Sequence, residues 1–121
     1  MSSKTLIDES LELQLEAKKI GLDWIELDKI LDKIREETDE LDEAIASKNQ
    51  EHIIEEFGDL FFSLISLSRH LNINMDDLNK SANNKFKNRL EKIKEEMDKR
   101  NIKYAEPSEM IEIWKSIKNK S

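Results

Sequence analysis

The segment from Lys33 to Asp59 has the sequence KIREETDELDEAIASKNQEHIIEEFGD. It contains two carboxylate pairs, Glu37 with Glu40 and Glu56 with Asp59, and the members of each pair are three residues apart. Because residues three apart share a face of an α-helix, each pair can present its oxygens in one direction. Two such helices packed side by side would converge four carboxylates on one place. Like charges repel unless a cation lies between them, so the spacing predicts a divalent metal site, most simply for Mg²⁺, with Mn²⁺ as the alternative.

Composition around this segment favours an all-α protein. The chain has 121 residues with only two Gly and one Pro, whereas Glu, Lys, Leu and Ile are abundant. Gly and Pro break helices, so their scarcity favours helix, as does the abundance of the other residue types named. The length suits a single hydrophobic core, and no repeat or linker interrupts the pattern. Residues 1–121 are therefore expected to form a single domain.

Net charge and cysteine content argue against several kinds of partner and of functional site. The formal net charge of −7 argues against nucleic acid, since phosphate backbones are bound by basic faces. Cysteine is absent, which excludes disulfides, thiolate metal sites and cysteine nucleophiles. The first ten residues, MSSKTLIDES, resemble neither a signal peptide nor a membrane span. A cytoplasmic protein without membrane contact is expected.

Hydrophobic periodicity and breaker residues predict four main helices and a short C-terminal one, arranged as a four-helix bundle. The second helix is expected to open at Asp23, because Glu26 follows at capping-box spacing. The third contains the apolar run FGDLFFSLISL and is expected to be the most buried. The first has two apolar faces, which fit either a helix inside the core of a monomer or a helix at a subunit interface. We expect the interface, and with it a homo-oligomer, most simply a homodimer. The predicted helices span residues 3–20, 23–47, 50–71, 75–99 and 107–118.

Two sets of residues outside the acidic segment have alternative interpretations. Lys85 and Arg89 lie four apart on a flank of the fourth helix, so they could clamp a phosphate or simply pair with nearby acids. Trp114 could pack in the core or stack on a nucleobase. Gly58 beside Asp59 is a poor helix former, which favours either close approach of a ligand or a tight helix crossing.

Taken together, these motifs resemble the MazG-like all-α nucleoside triphosphate pyrophosphohydrolases. That family carries an EExxE motif followed by ExxD, here EETDE at 36–40 and EEFGD at 55–59. Further similarity covers most of the chain from about Ala17 onward. It comprises GLDW at 21–24, DLFFSLISLSRHL at 59–71, the run Asn83, Lys85, Phe86 and Arg89, and the final set Glu109, Met110, Trp114 and Lys118.

The resemblance implies Mg²⁺-dependent hydrolysis of a nucleoside triphosphate to a monophosphate and pyrophosphate, with water attacking the α-phosphorus. It assigns the metal, and with it catalysis, to Glu37, Glu40, Glu56 and Asp59. It assigns substrate binding to a second set: Lys85, Arg89 and Asn83 at the triphosphate, Trp114 and Lys118 near the nucleotide, and Trp24 at the base.

Three other hypotheses share parts of this pattern. A dUTPase or a phosphoribosyl-ATP pyrophosphohydrolase of the same superfamily would use the same acids on another substrate. A di-iron carboxylate bundle would need Glu-x-x-His, but neither His52 nor His70 has Glu three residues before it. A helical interaction module would use the acids for solvation only.

Overall fold

The computed structural model describes residues 5–120, apart from the side chains of Leu6, Asn119 and Lys120. Within this range the chain forms five α-helices and no strand, so the all-α prediction is confirmed. The predicted start of the first helix near Ser3 lies outside the described residues. The helices are α1 Leu6–Lys19, α2 Leu27–Ser47, α3 Gln50–His70, α4 Met75–Lys99 and α5 Pro107–Lys120.

Local side-chain chemistry determines where the helices begin. Thr5 and Asp8 form a capping box at the start of α1, in which each side chain accepts a hydrogen bond from the other's backbone N–H. Asn49 caps α3, since its side-chain oxygen accepts from His52 N at 3.2 Å. Both caps satisfy N–H groups that have no partner within the helix.

The turn after α1 requires a left-handed backbone. Gly21 has a φ of +92°, and its N–H donates to the carbonyl of Lys18 at 3.0 Å. Leu22 N donates to Ala17 O at 2.9 Å, so these two bonds close the helix end. A residue without Cβ adopts this conformation at little cost, as expected for a glycine that stops a helix.

The chain falls into two compact units, one through Met75 and one from Asp76 onward. In the first unit, α2 and α3 are joined only by Lys48 and Asn49 and pack against each other, and α1 packs on α3. The fully buried apolar residues of this unit are Ile30, Ala44 and Ile65. The second unit has its own core, formed by Ile93, Ala105, Ile113 and Ile117.

The predicted cap of α2 is wrong, whereas α3 has more buried residues than the other described helices, as expected. Asp23 does not cap α2, because Glu26 occupies the N-cap position without a side-chain bond and the Asp23 carboxylate pairs with Arg69 instead. The apolar run of α3 is not fully covered in the single chain, where Phe57 is 58% exposed and Phe61 44%. A sequence pattern reports which residues avoid water but not which surface covers them.

Candidate functional site

The acidic side chains of α2 and α3 converge as the spacing predicts. Glu37, Glu56 and Asp59 each offer a carboxylate oxygen, and these oxygens all lie within 4.8 Å of one another. Glu37 is only 3% exposed and Glu56 only 9%. The Oε2 atom of each of these two residues is buried without a hydrogen-bond partner. Burying carboxylate oxygens in this way is unfavourable unless a cation or a donor joins them.

Glu40 joins this cluster through Glu56. A hydrogen bond between the two carboxyl groups raises the pKa of Glu40 to about 7, helped by loss of solvent around it and by the negative charge of Glu37. A carboxyl group whose pKa is raised holds its proton more readily, and that proton lessens the repulsion between the like charges. Binding a divalent metal would release that proton, because ligating carboxylates are deprotonated.

The four acids make an all-oxygen donor set, which suits hard cations such as Mg²⁺ and Mn²⁺. Two basic side chains already contact the cluster from outside. Lys33 Nζ lies 2.8 Å from Glu37 Oε1, and His52 Nε2 lies 3.4 Å from Glu56 Oε1. The Glu37 carboxylate raises the pKa of the Lys33 ammonium above its ordinary value through this hydrogen bond. These contacts leave the inner Oε2 atoms of Glu37 and Glu56 without partners, so the residues present fit a divalent metal.

A cavity of about 420 Å³ lies in the first unit next to the acids. Its walls are largely apolar and include Trp24 and Phe62, whereas Ser63 and Ser66 supply hydroxyl groups. Lys33 belongs both to this wall and, through Glu37, to the acidic cluster. The size and composition are those of a small-molecule pocket, with an aromatic surface and a few polar groups. Lys33 was not among the site residues predicted from the sequence. Its position four residues before Glu37 nevertheless places the two side chains on one face of a helix, where they can pair.

The close approach considered for Gly58 is not found within the described chain. A Cβ built at this glycine meets no other atom within 4 Å. A tight helix crossing within the described chain therefore does not explain the glycine, and close approach of a ligand stays a prediction.

One ion-pair network holds the loop that carries Trp24. Arg69 of α3 donates through both terminal nitrogens to Asp23, at 2.7 and 3.0 Å, and through Nε to Gln14 Oε1 of α1 at 3.1 Å. His70 Nε2 lies 2.9 Å from the Trp24 carbonyl oxygen. The network thus ties the loop to two helices and fixes one wall of the cavity.

We expect Asp23→Asn to lower the free energy of unfolding by about 2 kcal/mol, because a charge-assisted pair is lost and Arg69 keeps a partly buried charge. The Arg69 guanidinium holds the pKa of the Asp23 carboxyl below its ordinary value of 3.8. A depressed carboxyl pKa stabilises the fold above that ordinary value, and the contribution is lost as the pH falls through the lowered folded-state pKa. Urea unfolding from pH 7 down to pH 2 measures both effects.

Asp32→Asn provides the matched control for this prediction. Asp32 pairs with Arg35 at 2.9 Å, but both side chains are more than 60% exposed. Its loss is expected to change stability by less than about 1 kcal/mol, as for other surface pairs. Equal losses of stability in the two variants would contradict a special role for the Asp23 pair. A stability difference between Asp23→Asn and wild type that is as large at pH 2 as at pH 7 would also contradict it.

The second unit brings together two of the other predicted site residues. The Arg89 guanidinium lies 5.3 Å from the centre of the Trp114 ring, and the Phe86 ring lies 6.2 Å from it at 40°. Trp114 therefore packs against the core of the second unit and also contacts the Arg89 guanidinium, whereas stacking on a nucleobase stays a prediction. Asn83, Lys85 and Lys118 lie on exposed positions of α4 and α5. Among the described residues neither Lys85 nor Arg89 pairs with an acid, so the simple salt-bridge interpretation is not supported.

Residues 26–94 match the sequence model of the MazG nucleotide pyrophosphohydrolase domain. The chain belongs to the MazG family. The resemblance inferred from the motifs is thereby confirmed. The matched segment contains the four acids together with Asn83, Lys85 and Arg89, whereas Trp24, Trp114 and Lys118 lie outside it.

Two curated proteins similar to this chain carry names that agree with the MazG assignment. The nucleoside triphosphate pyrophosphohydrolase/pyrophosphatase MazG of Thermotoga maritima is 37% identical over 108 residues, which are 88% of this chain and 41% of that protein. The nucleoside triphosphate pyrophosphohydrolase of Escherichia coli strain K12 is 30% identical over 111 residues, which are 88% of this chain and 42% of that protein. The chain thus spans about two fifths of the length of these MazG relatives. Among residues 5–120, no helix has the length and hydropathy of a membrane span.

Proposed function

We propose that this chain is a Mg²⁺-dependent nucleoside triphosphate pyrophosphohydrolase. It converts a ribo- or deoxyribonucleoside triphosphate and water into the monophosphate and pyrophosphate, by attack of water on the α-phosphorus. The observation that carries this proposal is the convergence of Glu37, Glu56 and Asp59, with two buried oxygens that lack partners. Family membership and the names of the relatives support the reaction type.

In this proposal the four acids Glu37, Glu40, Glu56 and Asp59 hold Mg²⁺, with Mn²⁺ as a substitute. When bound, the ion would neutralise charge on the phosphate oxygens and favour deprotonation of water. The chain's own acids orient the reacting water by accepting its hydrogens, and the buried Glu37 and Glu56 carboxylates keep bulk solvent from the inner side of the cluster. Expulsion of pyrophosphate completes the displacement: the bond from water oxygen to the α-phosphorus forms as the bond to the bridging oxygen breaks.

The predicted nucleotide contacts are proposed for each unit by itself. Trp24 and the cavity beside it receive the base, since the wall combines an aromatic ring with hydroxyl groups. Lys85 and Arg89, with Asn83, bind the triphosphate, and Trp114 and Lys118 lie near the nucleotide. The Trp114 ring orients the Arg89 guanidinium, which leaves the N–H donors available for a phosphate.

A nucleotide panel with Mg²⁺ tests the proposed reaction. Each common ribo- and deoxyribonucleoside triphosphate, dUTP and phosphoribosyl-ATP is incubated with the protein, and the products are separated by ion-exchange chromatography. We expect a monophosphate and pyrophosphate. Diphosphate with orthophosphate would contradict the reaction, and exclusive use of dUTP or phosphoribosyl-ATP would favour the corresponding alternative enzyme. A protein that hydrolyses nothing and gains no thermal stability from Mg²⁺ would favour the interaction module.

We also propose that the protein is a homodimer or a higher homo-oligomer in the cytoplasm, where its substrates are present. Large apolar side chains remain exposed along α1 and α3, including Leu13 at 53% and Phe57 at 58%. An apolar surface of this kind on a folded chain is typical of a protein interface. Light scattering coupled to size-exclusion chromatography is expected to give at least twice the chain mass of 14.3 kDa. A monomer at every concentration would contradict this assembly.

A further inference from the structure

We propose that His70 is a positioning residue for the cavity wall: its doubly protonated ring holds Trp24 in place, and loss of one ring proton loosens this part of the loop between α1 and α2. The contacts that carry this inference all lie within the first unit. Its consequence for binding of the base rests on the proposed function.

Both nitrogens of the His70 ring face carbonyl oxygens at hydrogen-bond distance. Nδ1 lies 2.8 Å from the Ser66 carbonyl oxygen of α3, and Nε2 lies 2.9 Å from the Trp24 carbonyl oxygen of the loop. A carbonyl oxygen only accepts hydrogen bonds, and a neutral imidazole has a single N–H. A neutral ring would therefore leave one nitrogen lone pair facing an oxygen lone pair, whereas a ring with two protons donates to both oxygens.

The surroundings of His70 favour the doubly protonated ring. His70 is the last residue of α3, where the helix dipole stabilises a cation. From the loop, the Asp23 carboxylate lies 3.5 Å from His70 Nε2. Gln14, the residue that α1 contributes to this network, is uncharged. The His70 side chain is only 15% exposed, so water does not readily replace a missing donor at either carbonyl oxygen.

Two cations in this part of the unit oppose a second proton on the ring. Arg69 precedes His70 on α3, but both of its terminal nitrogens donate to Asp23, at 2.7 and 3.0 Å. Lys33 of α2 lines the same cavity and pairs with Glu37 at 2.8 Å. Each cation thus has a carboxylate of its own, which reduces its effect on the ring.

The bond from His70 acts on the part of the loop that lines the cavity. In the described part of the chain, the Trp24 carbonyl accepts its hydrogen bond from His70, and the Trp24 side chain belongs to the cavity wall. The pair of Asp23 with Arg69 keeps the preceding residue attached to α3 whatever the state of the ring. Loss of one ring proton therefore changes the cavity wall without detaching the loop from the first unit.

The test follows the ring and the loop of the wild type from pH 5.5 to pH 8.5, a range in which histidine side chains ordinarily titrate. Long-range ¹H–¹⁵N correlation spectra report the protons on each ring nitrogen. Acrylamide quenching of fluorescence in a Trp114→Phe background reports Trp24, since the chain has two tryptophans. We expect a doubly protonated ring with a protected Trp24 at the acid end, and quenching that rises as the ring loses a proton.

Binding of the nucleoside of the best substrate in the nucleotide panel gives the functional readout. A nucleoside carries no phosphate, so its affinity does not depend on a metal at the acids. We expect this affinity to fall about tenfold across the transition of the ring, because one charge-assisted bond holds the wall. Unchanged nucleoside affinity across that transition would overturn the positioning role.

Two variants provide the controls. His70→Gln removes the titrating ring, so Trp24 quenching should no longer vary with pH. Glu40, whose pKa is about 7, titrates in the same range but remains in this variant. His52→Gln replaces the other histidine of the chain, so it identifies the His70 signals and should keep the wild-type transition.

A neutral His70 ring at pH 5.5 in the folded wild type would overturn the inference, and this result does not require that His70→Gln folds. A Trp24 transition that persists in His70→Gln would also overturn it. If the ring and the loop titrate together but the panel shows no hydrolysis, the role of His70 in the loop holds and the proposed function fails. Hydrolysis without a shared transition would instead remove the inference and keep the proposed function.

Discussion

Glu56→Gln is expected to reduce nucleoside triphosphate hydrolysis by about a thousandfold, the scale seen when a preorganised electrostatic group is lost. The substitution keeps the size and shape of the side chain and removes its charge. Glu56 is 9% exposed, and its Oε2 has no hydrogen-bond partner, so an amide there loses the oxygen charge that a cation needs. Initial rates at saturating substrate across a Mg²⁺ series measure the loss.

The same substitution is expected to raise the melting temperature of the metal-free protein. Glu56 lies within 4.8 Å of the Glu37 and Asp59 oxygens, and its carboxyl group raises the pKa of Glu40. Removing one of four converging carboxyl groups relieves repulsion, and the new amide can donate to a neighbouring oxygen. Saturating Mg²⁺ should stabilise the wild type by mass action but not the variant. Opposite changes in stability and activity are thus the expected result for Glu56 as a proposed metal ligand.

Glu55→Gln is the matched control, because Glu55 is the adjacent residue on α3 and is exposed. It should keep the wild-type rate and the wild-type response to Mg²⁺. The metal-site assignment fails if Glu56→Gln still gains stability from Mg²⁺, or if the two variants lose activity equally. Differential scanning fluorimetry with and without Mg²⁺ separates these results.

Helix positions and the acidic cluster were predictable because both depend on local spacing. Glu37 and Glu56 face one another because each lies on the inner side of its helix, and two residues, Lys48 and Asn49, connect those helices. Breakers and caps near the chain turns determined most boundaries to within a few residues. The residues of the acidic cluster therefore lie in two short segments, which meet as soon as α2 and α3 pair.

Contacts between distant segments were not predictable in the same way. Asp23 has the spacing of a helix cap, but Arg69, 46 residues later, offers two charge-assisted bonds and competes successfully for its carboxylate. Lys33 resembles any lysine on a charged helix until the cavity beside it is known. Phe57 and Phe61 of α3 show the same limit, because their apolar character does not specify which surface covers them.

Arg89→Met is expected to weaken binding of a nucleoside triphosphate by about a hundredfold, the upper range for loss of a bidentate charge-assisted contact. The guanidinium lies over Trp114 at 5.3 Å and has no acidic partner among the described residues. Methionine keeps an apolar stem against the ring, so the packing of α5 should persist. Isothermal titration of a non-hydrolysable analogue, with Mg²⁺ present, measures the change. Mn²⁺ binding without nucleotide should equal that of wild type.

Arg100→Met distinguishes loss of substrate binding from loss of structure. Arg100 follows α4 and pairs with Glu96 at 3.2 Å and with Glu109 at 3.3 Å, so its removal should lower the melting temperature but leave analogue affinity intact. Arg89→Met should keep the wild-type melting temperature and lose affinity for the analogue, because Arg89 pairs with no acid among the described residues. If both variants lost stability and nucleotide affinity in proportion, Arg89 would be a packing residue of the second unit. If Arg89→Met also lost Mn²⁺ binding to the same degree, the roles assigned here would be wrong. In that assignment Arg89 binds phosphate and the acids bind the metal.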